Sequence, residues 1–478
     1  MIISLVLGII AMIFHTMCLC YLTALALNTV TGISVPMSLF MLNGVALFYT
    51  MLGGMKAVIW TDVLQSGVLV FSLAAVSFKL WFDLGYEKIL ADVGESGGNK
   101  LGDIFDWRIT TRSSAAWFFN EINLMVCHIG FGQYFVQRFV SCATPNDAKK
   151  SIWVGASVSL IVGGIFIPMI GMASISYFKG CDPVKSGKIP RIDAIVPYLV
   201  QEIFKEIPGM TGVFISSAYS ATLSTISTAL NSGATIFFKS VIGNVEIKEE
   251  KQILYMRIFI TIFGVCVTCL SMLFMWMPGN IISIALMVLG SFQAPLTMIF
   301  LLGILVPSTN EYGIIAGTFA SQIPLALLSC QKLFFHKPAS FQNLVHHTAD
   351  VCLNVSSVTV LLDPAPEVIE PSYPWWHRIF WVSKVGWNGL LSMAIMGGVS
   401  FVVSKIFKDE NSEPNPDLQL SLFTSPKWPN FLRNAFLLDC HKNQNFKRSE
   451  EQPLNENSDS KQISEGVKFS LSLENNKA

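Results

Sequence analysis

Long apolar runs without charge are the feature that most constrains the fold of this chain. The first formal charge is Lys56, and no charged residue lies between Glu206 and Lys239. Runs of about 20 apolar residues are long enough to cross a hydrocarbon core of about 30 Å as helices. A transmembrane β-barrel would instead show shorter segments of alternating hydrophobicity. We therefore expect an all-α, polytopic membrane protein.

Composition supports this expectation. Charged residues make up 13% of the chain, against about 25% in ordinary globular proteins, and apolar residues make up 52%. We expect a transmembrane region over residues 1–407 and a polar, disordered cytoplasmic tail over 408–478, because the tail has too little apolar surface to fold alone. The ten predicted spans lie near residues 3–27, 36–55, 62–83, 115–135, 153–177, 209–238, 257–277, 281–306, 313–331 and 385–404.

The basic residues of the short loops predict the orientation of these spans. If the spans alternate, Lys56, Arg138, Lys149, Lys239 and Arg257 all fall on one side of the membrane. Positive charge in short loops is typical of the cytoplasmic side, so both termini are expected to be cytoplasmic.

The longer connections, 84–114, 178–208 and 332–384, then face outward. The last contains Asn354 in the sequence Asn-Val-Ser, a potential N-glycosylation acceptor on the predicted outer face. Cys181 and Cys352 also fall in outer loops, where a disulfide can persist, and their pairing is left open.

The stretch "AYSATLSTISTALNS", residues 218–232, carries seven Ser and Thr within a predicted span. Small hydroxyl residues often serve helix packing, because they bond to the preceding turn and let helices approach closely. The alternative is cation binding, since Na⁺ must replace its water shell with oxygens. Adjacent Ser224 and Thr225 would supply two hydroxyl oxygens without burying a full charge.

Two further polar clusters lie near span ends. Asp62 and Gln65 enter one span three residues apart, on one helix face. An acidic residue there is either a charge at the water boundary or a functional group. In "GFGQYFVQR", residues 130–138, Gln133 follows Gly130 and Gly132, which weaken a helix. This segment is either a frayed helix end or a broken helix that lines a cavity.

His15 lies in the middle of a charge-free span. The sequence leaves three alternatives open for this side chain: it faces a cavity, it titrates during transport, or it is a neutral imidazole bonded to a neighbouring helix. No GxSxG, HExxH or Walker sequence and no Cys/His metal spacing occurs, so we expect neither an enzyme nor a metal site beyond Na⁺. The formal net charge is zero, and we expect no nucleic-acid partner.

At this point the sequence resembles the sodium:solute symporter family, in particular its monocarboxylate, multivitamin and iodide branch. The resemblance covers roughly residues 10–310, in family order. The matching stretches are "ALALNTVTG" (24–32), "GGMKAVIWTDVLQ" (53–65), "QYFVQRFVSC" (133–142), "CDP" (181–183), "PYLVQEI…PGMTGVF" (197–214) and "AYSATLSTISTALNS".

The resemblance implies a LeuT-like bundle of inverted repeats, with ion and substrate sites near the midplane. It also implies roles for individual positions. The sodium ligands would be the hydroxyls of Ser224 and Thr225 and the carbonyl of Ala221. A second sodium site or the inner exit path would use Asp62, Gln65 and Gln133. Ile282, Leu286 and His15 would border the substrate.

The chain departs from the family pattern at its N-terminus. The family begins with three further spans, so the bundle is expected to be N-terminally incomplete and to lack part of the sodium site. Gly132 stands where the family usually has Asn, and His15 where several relatives have Tyr. The resemblance implies a sodium-coupled symporter that imports a small, monocarboxylate-type anion across the plasma membrane. The alternatives are a vitamin or iodide symporter, and a non-transporting membrane protein that regulates full-length relatives.

Overall fold

A computed structural model gives the fold and describes residues 2–96, 114–242, 248–277, 281–306, 308–334 and 385–407. The described residues form helices and connecting turns, with no strand among them, which confirms the all-α prediction for these ranges. They fall in one of the two compact units of the chain, Met1–Pro414. The predicted tail, 408–478, lies outside the described residues.

The α-helices follow one another with short connections in most places. Short π-helical segments, Val126–Phe131 and Val162–Phe166, continue two of them. The α-helices are α1 (Ile2–Thr31), α2 (Val35–Leu84), α3 (Tyr86–Glu95), α4 (Ser114–Met125), α5 (Gln133–Val140), α6 (Pro145–Ile161), α7 (Ile167–Tyr177), α8 (Ile195–Ile203), α9 (Met210–Ile242), α10 (Glu249–Ser271), α11 (Ile281–Leu305), α12 (Glu311–Phe334) and α13 (Val385–Ile406).

Eight helical segments of the described chain are long and apolar enough to cross a membrane. They are Ile3–Thr31, Val35–Leu52, Val58–Leu84, Pro145–Tyr177, Met210–Ser240, Glu250–Met275, Ile284–Leu305 and Asn388–Ile406. The two other predicted spans also form helices. The one at 115–135 is interrupted, with only Glu121–Phe131 as a shorter apolar helix, and the one at 313–331 falls within α12.

Helix α2 runs without a break through Gly53 and Gly54, and the candidate span in its first half, Val35–Leu52, ends just before them, close to the predicted end of the span near 36–55. Glycine weakens a helix but does not stop it, and no proline lies in the following residues. The 50-residue helix is about 75 Å long at 1.5 Å per residue, and it therefore contains two candidate spans.

Buried apolar side chains form two core clusters. The larger one joins α1, the first half of α2, α9, α10 and α11, and includes Leu39, Leu42 and Leu230. The smaller one joins the second half of α2 to α3, α7 and α8, and includes Leu80 and Ile89. Helix α9 packs along α2 and also against α1 and α10, so its polar stretch lies in the interior of the bundle.

An ion-pair cluster ties α3 to the end of α7. The Lys179 ammonium lies 2.6 Å from Asp92 and 2.5 Å from Glu95, and Ser176 donates a hydrogen bond to Asp92. Burial acts to raise the pKa of Asp92, but hydrogen bonds from Lys179 and Ser176 outweigh it and hold the pKa below its ordinary value. Hydrogen bonds to Asp92 and Glu95 raise the pKa of Lys179. The α3–α7 contact is therefore stabilised at neutral pH.

Helices α12 and α13 approach each other through small residues. Gly313 and Gly317 lie against Ser404 and Ser400, where any added Cβ would overlap the opposite helix. Asn310 connects the ends of both helices, since its Oδ1 accepts from the Gly313 amide at 3.0 Å and its amide group donates to the Phe407 carbonyl. Small residues of this kind allow close helix packing in membranes.

The predictions for the outer loops have different outcomes. Cys181, one of the two cysteines for which the sequence left a disulfide open, is disulfide-bonded. Its partner is not among the residues whose side chains the structure describes. Both Cys352 and the predicted glycosylation site, Asn354, lie outside the described residues.

Candidate functional site

The hydroxyl groups of α9 mostly bond to the preceding turn of their own helix. The Thr225 Oγ1 donates to the Ala221 carbonyl at 3.1 Å. The Ser224 carbonyl accepts from the hydroxyls of Thr228 at 2.8 Å and Ser227 at 3.1 Å. These bonds are the ones expected of Ser and Thr in packed membrane helices. They also bring the oxygens of Ala221 and Thr225, two of the predicted sodium ligands, into direct contact.

Such bonding leaves the hydroxyl oxygens able to bind a cation. A hydroxyl that donates its proton keeps its lone pairs, and a carbonyl has two. Ala221, Ser224 and Thr225 are half-buried, whereas Ile226, Ser227 and Thr228, which follow them in the chain, are buried. The three predicted sodium ligands therefore lie in the more accessible part of α9, and their oxygens stay available to a further partner.

Contacts with α1 and α2 hold this part of α9 in place. The hydroxyls of Thr222 and Thr23 lie 2.5 Å apart, and Tyr49 donates to the Leu223 carbonyl at 2.8 Å. The main chain around Ser224 is thus fixed from two neighbouring helices. A site formed on such a supported helix keeps its geometry better than one on a loop.

A partly buried ion pair lies next to Ser224. Arg138 of α5 donates to both the Asp62 carboxylate on α2 and the Thr228 hydroxyl on α9. The Asp62 side chain is 12% exposed and that of Arg138 is 31% exposed. The Ser224 side chain also lies near the Asp62 carboxylate, although no hydrogen bond joins the two. Arg138, which the sequence suggested only as a boundary marker, therefore connects the two predicted polar clusters.

Two buried oxygens on α2 lack a hydrogen-bond partner among the described residues. They are the Oδ1 atom of Asp62 and the Oε1 atom of Gln65, and both residues are only 9% exposed. Residues three apart lie on one helix face, so both oxygens project from the same side of α2. Unpartnered buried acceptors are costly, and a cation would satisfy them. Gln133, the third residue of this predicted set, is half-buried at the first position of α5, and no hydrogen bond joins it to Asp62 or Gln65.

The helix that leads to α5 is broken. The π-helical segment Val126–Phe131 ends at Gly132, whose backbone is extended, with φ −69° and ψ 119°. A Cβ added at Gly132 would overlap the carbonyl oxygen of His128. The segment is therefore a broken helix rather than a frayed end. π-Helical turns are frequent at functional sites.

The break places His128 beside His15. The two ring centroids are 5.1 Å apart, and the Tyr134 ring lies 5.8 Å from His128. The Nε2 atom of His128 lies 2.7 Å from the Nε2 atom of Gln293 on α11. His15, one of the predicted substrate-lining residues, thus faces a polar group formed by three helical segments.

The other predicted substrate-lining residues lie on α11. Ile282 is 47% exposed near the start of the helix, and Leu286 is half-buried one turn later. Leu286 precedes Gln293 by seven residues, so the two side chains share one stripe about 10 Å apart along the axis. The sequence interpretation missed His128 and Gln293. The stripe that contains Ile282 and Leu286 was a signal that could have pointed to Gln293.

Comparisons with known proteins identify the family of the chain. The model of the sodium:solute symporter family matches residues 1–320. Sodium-coupled monocarboxylate transporter 1 of Mus musculus is 33% identical over 326 residues, 66% of this chain and 52% of that protein. The human sodium/iodide cotransporter is 29% identical over 365 residues, 75% of this chain and 56% of that protein. The chain thus spans about half the length of these curated relatives.

A solved structure has a similar fold. It shows the substrate-bound outward-open state of a Na⁺-coupled sialic acid symporter. Its TM-score with this chain is 0.61 at 17% sequence identity, and the match covers 85% of this chain and 74% of that one. At this identity the likeness concerns the fold alone. It confirms the LeuT-like helical bundle that the sequence predicts.

Proposed function

The chain belongs to the sodium:solute symporter family, and on that basis we propose that it takes part in sodium-coupled import of a small anion. The proposed solute class is a monocarboxylate, because the mouse relative is named as a sodium-coupled monocarboxylate transporter. The proposed location is the plasma membrane, with both termini cytoplasmic. The inward Na⁺ gradient would supply the driving force.

The observation that carries this proposal is the oxygen set on α9. Thr225 Oγ1 and the Ala221 carbonyl are in contact at 3.1 Å, with Ser224 adjacent and all three half-buried. Neutral oxygens suit a monovalent cation, because they replace its water shell without adding another buried charge. We assign Na⁺ to Ala221, Ser224 and Thr225, with the remaining ligands outside the described contacts.

We assign a second role to Asp62 and its surroundings. Its free oxygen and that of Gln65 are buried acceptors without a partner among the described residues, and they suit a second Na⁺. The Arg138 guanidinium, bonded to Asp62 and Thr228, joins α2, α5 and α9 at the side proposed as cytoplasmic. We propose that Na⁺ and Arg138 share the Asp62 carboxylate, and that Gln133 lines the exit path beside them.

The solute is proposed to lie between α1, the broken helix and α11. His15 supplies a polar side chain there, and Leu286 and Ile282 continue the wall toward the start of α11. An apolar stripe next to a few polar groups is typical of sites for small organic ligands.

Uptake in transfected cells tests the proposal. Labelled lactate uptake is expected to fall to background when choline replaces Na⁺. Thr225→Val is expected to raise the half-saturating Na⁺ concentration about 5- to 150-fold, as the loss of one ligand costs about 1–3 kcal/mol. Thr235→Val is the matched control, because Thr235 bonds to the Asn231 carbonyl at 2.8 Å in the same way, farther along α9.

Na⁺-independent lactate uptake would contradict the coupling. Iodide is tested in parallel, since the human sodium/iodide cotransporter is also similar to this chain, and biotin is tested as a vitamin, the other alternative that the family resemblance leaves open. Na⁺-dependent uptake of iodide or biotin, without uptake of lactate, would show that the solute is not a monocarboxylate but would support the sodium coupling. The absence of all uptake, together with a changed uptake by a co-expressed relative, would instead favour a regulatory protein.

A further inference from the structure

We propose that His128 and Gln293, with His15 beside them, form a carboxylate-binding subsite that is switched on by a proton. This inference rests on the proposed function, because it assigns the chemistry that recognises the anion. It adds a proton to the sodium coupling, and it assigns roles to His128 and Gln293, which the sequence interpretation did not single out.

The first step is the protonation state that the geometry requires. The amide nitrogen of Gln293 lies 2.7 Å from the Nε2 atom of His128, and an amide nitrogen can only donate. With the Gln293 nitrogen as the donor, the Nε2 atom accepts and the ring proton is assigned to Nδ1; the Leu124 carbonyl, one turn earlier, is the backbone acceptor of the ring. His128 is thus held as one neutral tautomer, with both of its nitrogens in use.

This arrangement leaves one oxygen atom of Gln293 without a hydrogen-bond partner. The Oε1 atom of Gln293 is buried and has no hydrogen-bond partner among the described residues, although the residue is only 3% exposed. An unpartnered buried acceptor is unfavourable, and it calls for a donor. In the neutral state the subsite therefore presents a bare acceptor, which would repel a carboxylate.

Adding one proton reverses this arrangement. The proton from water binds to the Nε2 lone pair of His128, and the ring then donates from both nitrogens. Rotation of the Gln293 amide by about 180° turns Oε1 toward Nε2–H, so that the acceptor gains its donor. The Gln293 NH₂ group is then free to donate, next to a positive imidazolium. A carboxylate finds both a charge and N–H donors.

The described residues around His128 supply no internal counter-charge. The titratable groups near His128 are His15 on α1, Tyr134 on α5 and Cys127 in its own π-helical segment. Gln293 faces it from α11, and no carboxylate acts on the ring among the described residues. Helix α13 packs against α4 and has one charged residue in its described part, Lys405, in its last turn.

An imidazolium within a membrane helix is costly without an opposite charge. The missing partner is a bound anion, and two imidazoles 5.1 Å apart would share a single proton rather than hold two. The neutral His15 then adds a donor from α1. The proton and the carboxylate are therefore expected to bind together, each strengthening the other.

Binding by the purified full chain tests this inference. The probe is lactate, titrated at constant Na⁺, with the midpoint of thermal unfolding in detergent as the readout. Proton-linked binding predicts an apparent lactate affinity about tenfold or more tighter at pH 5.5 than at pH 7.5. His128→Gln is expected to abolish this pH dependence. Gln293→Glu provides a built-in carboxylate and is expected to abolish lactate binding at both pH values.

Gln322→Leu is the matched control, because Gln322 also bonds to α11, to the Ser291 carbonyl at 2.7 Å, away from His128. It is expected to keep the pH dependence. Equal lactate affinity of the wild type at both pH values would overturn the inference without any variant. Stabilisation by Na⁺ but not by lactate would overturn the subsite and leave the sodium coupling intact. No response to either Na⁺ or lactate would overturn the proposed function itself.

Discussion

Replacement of Arg138 by methionine is the perturbation whose effect the structure specifies best. Arg138→Met removes the partner of Asp62, whose side chain is 12% exposed, and also a donor to Thr228. Breaking a fully buried ion pair by removing one partner costs about 3–5 kcal/mol, because the other charge is left uncompensated. The Arg138 side chain is itself 31% exposed, so solvent offsets part of the cost, and we expect about 2–4 kcal/mol.

The assay is unfolding of the purified protein in detergent, followed by circular dichroism, in choline chloride. Lys150→Met is the control, since Lys150 is 79% exposed and lies 3.8 Å from Asp147. An exposed pair of this kind contributes about 0–1 kcal/mol.

The double variant with Asp62→Asn is expected to recover much of the stability lost in Arg138→Met, because it removes the uncompensated charge. Na⁺ is expected to restore part of the stability of Arg138→Met alone, since the cation can take the place of the guanidinium at Asp62. If Arg138→Met costs no more than Lys150→Met, or if the double variant is less stable than the single one, the reasoning about a buried pair is refuted.

Three further predictions concern other contacts. Lys179→Met is expected to lower the midpoint of thermal unfolding above about pH 5, where Asp92 is ionised. Because the pKa of Asp92 is depressed in the folded protein, the stabilisation by the Lys179–Asp92 pair is lost as pH falls below about 4. Equal midpoints for the variant and the wild type at pH 7 would contradict this prediction. Asn310→Ala, which removes a helix cap, is expected to cost about 1–2 kcal/mol in detergent unfolding, and an unchanged stability would refute the capping role. Gly132→Ala is expected to cost about 1–3 kcal/mol, because the new Cβ must displace the His128 carbonyl, and a neutral effect would mean that the break tolerates a side chain.

The helical fold was predictable because its signal is averaged over many residues. A run of about 20 apolar residues that crosses a membrane can adopt few structures other than a helix. Two of the predicted spans correspond to the two halves of α2. The helix itself continues past Gly53, since local propensity alone does not decide where a supported helix stops. The break at Gly132 was one of two open alternatives, and only the contact with the His128 carbonyl decides between them.

The site was predictable only in part, because contacts between distant residues leave no local pattern. Ser224 and Thr225 stand out within a dense hydroxyl stretch, and the family resemblance gives them a role. Their surroundings depend on residues far apart in sequence, such as Asp62 and Arg138. Likewise, the 2.7 Å contact between His128 and Gln293 joins residues 165 positions apart, and neither residue is unusual in its own segment.

Direct binding of radioactive sodium to the purified protein is the measurement closest to the central claim, that half-buried oxygens on α9 bind a monovalent cation. Saturable binding of ²²Na⁺ is expected in the wild type and in Thr235→Val, whose hydroxyl bonds to its own helix in the same way as that of Thr225. Ser224→Ala and Thr225→Val are each expected to weaken it about fivefold or more, as the loss of one ligand oxygen implies. Binding that is equal in all four proteins would contradict the account.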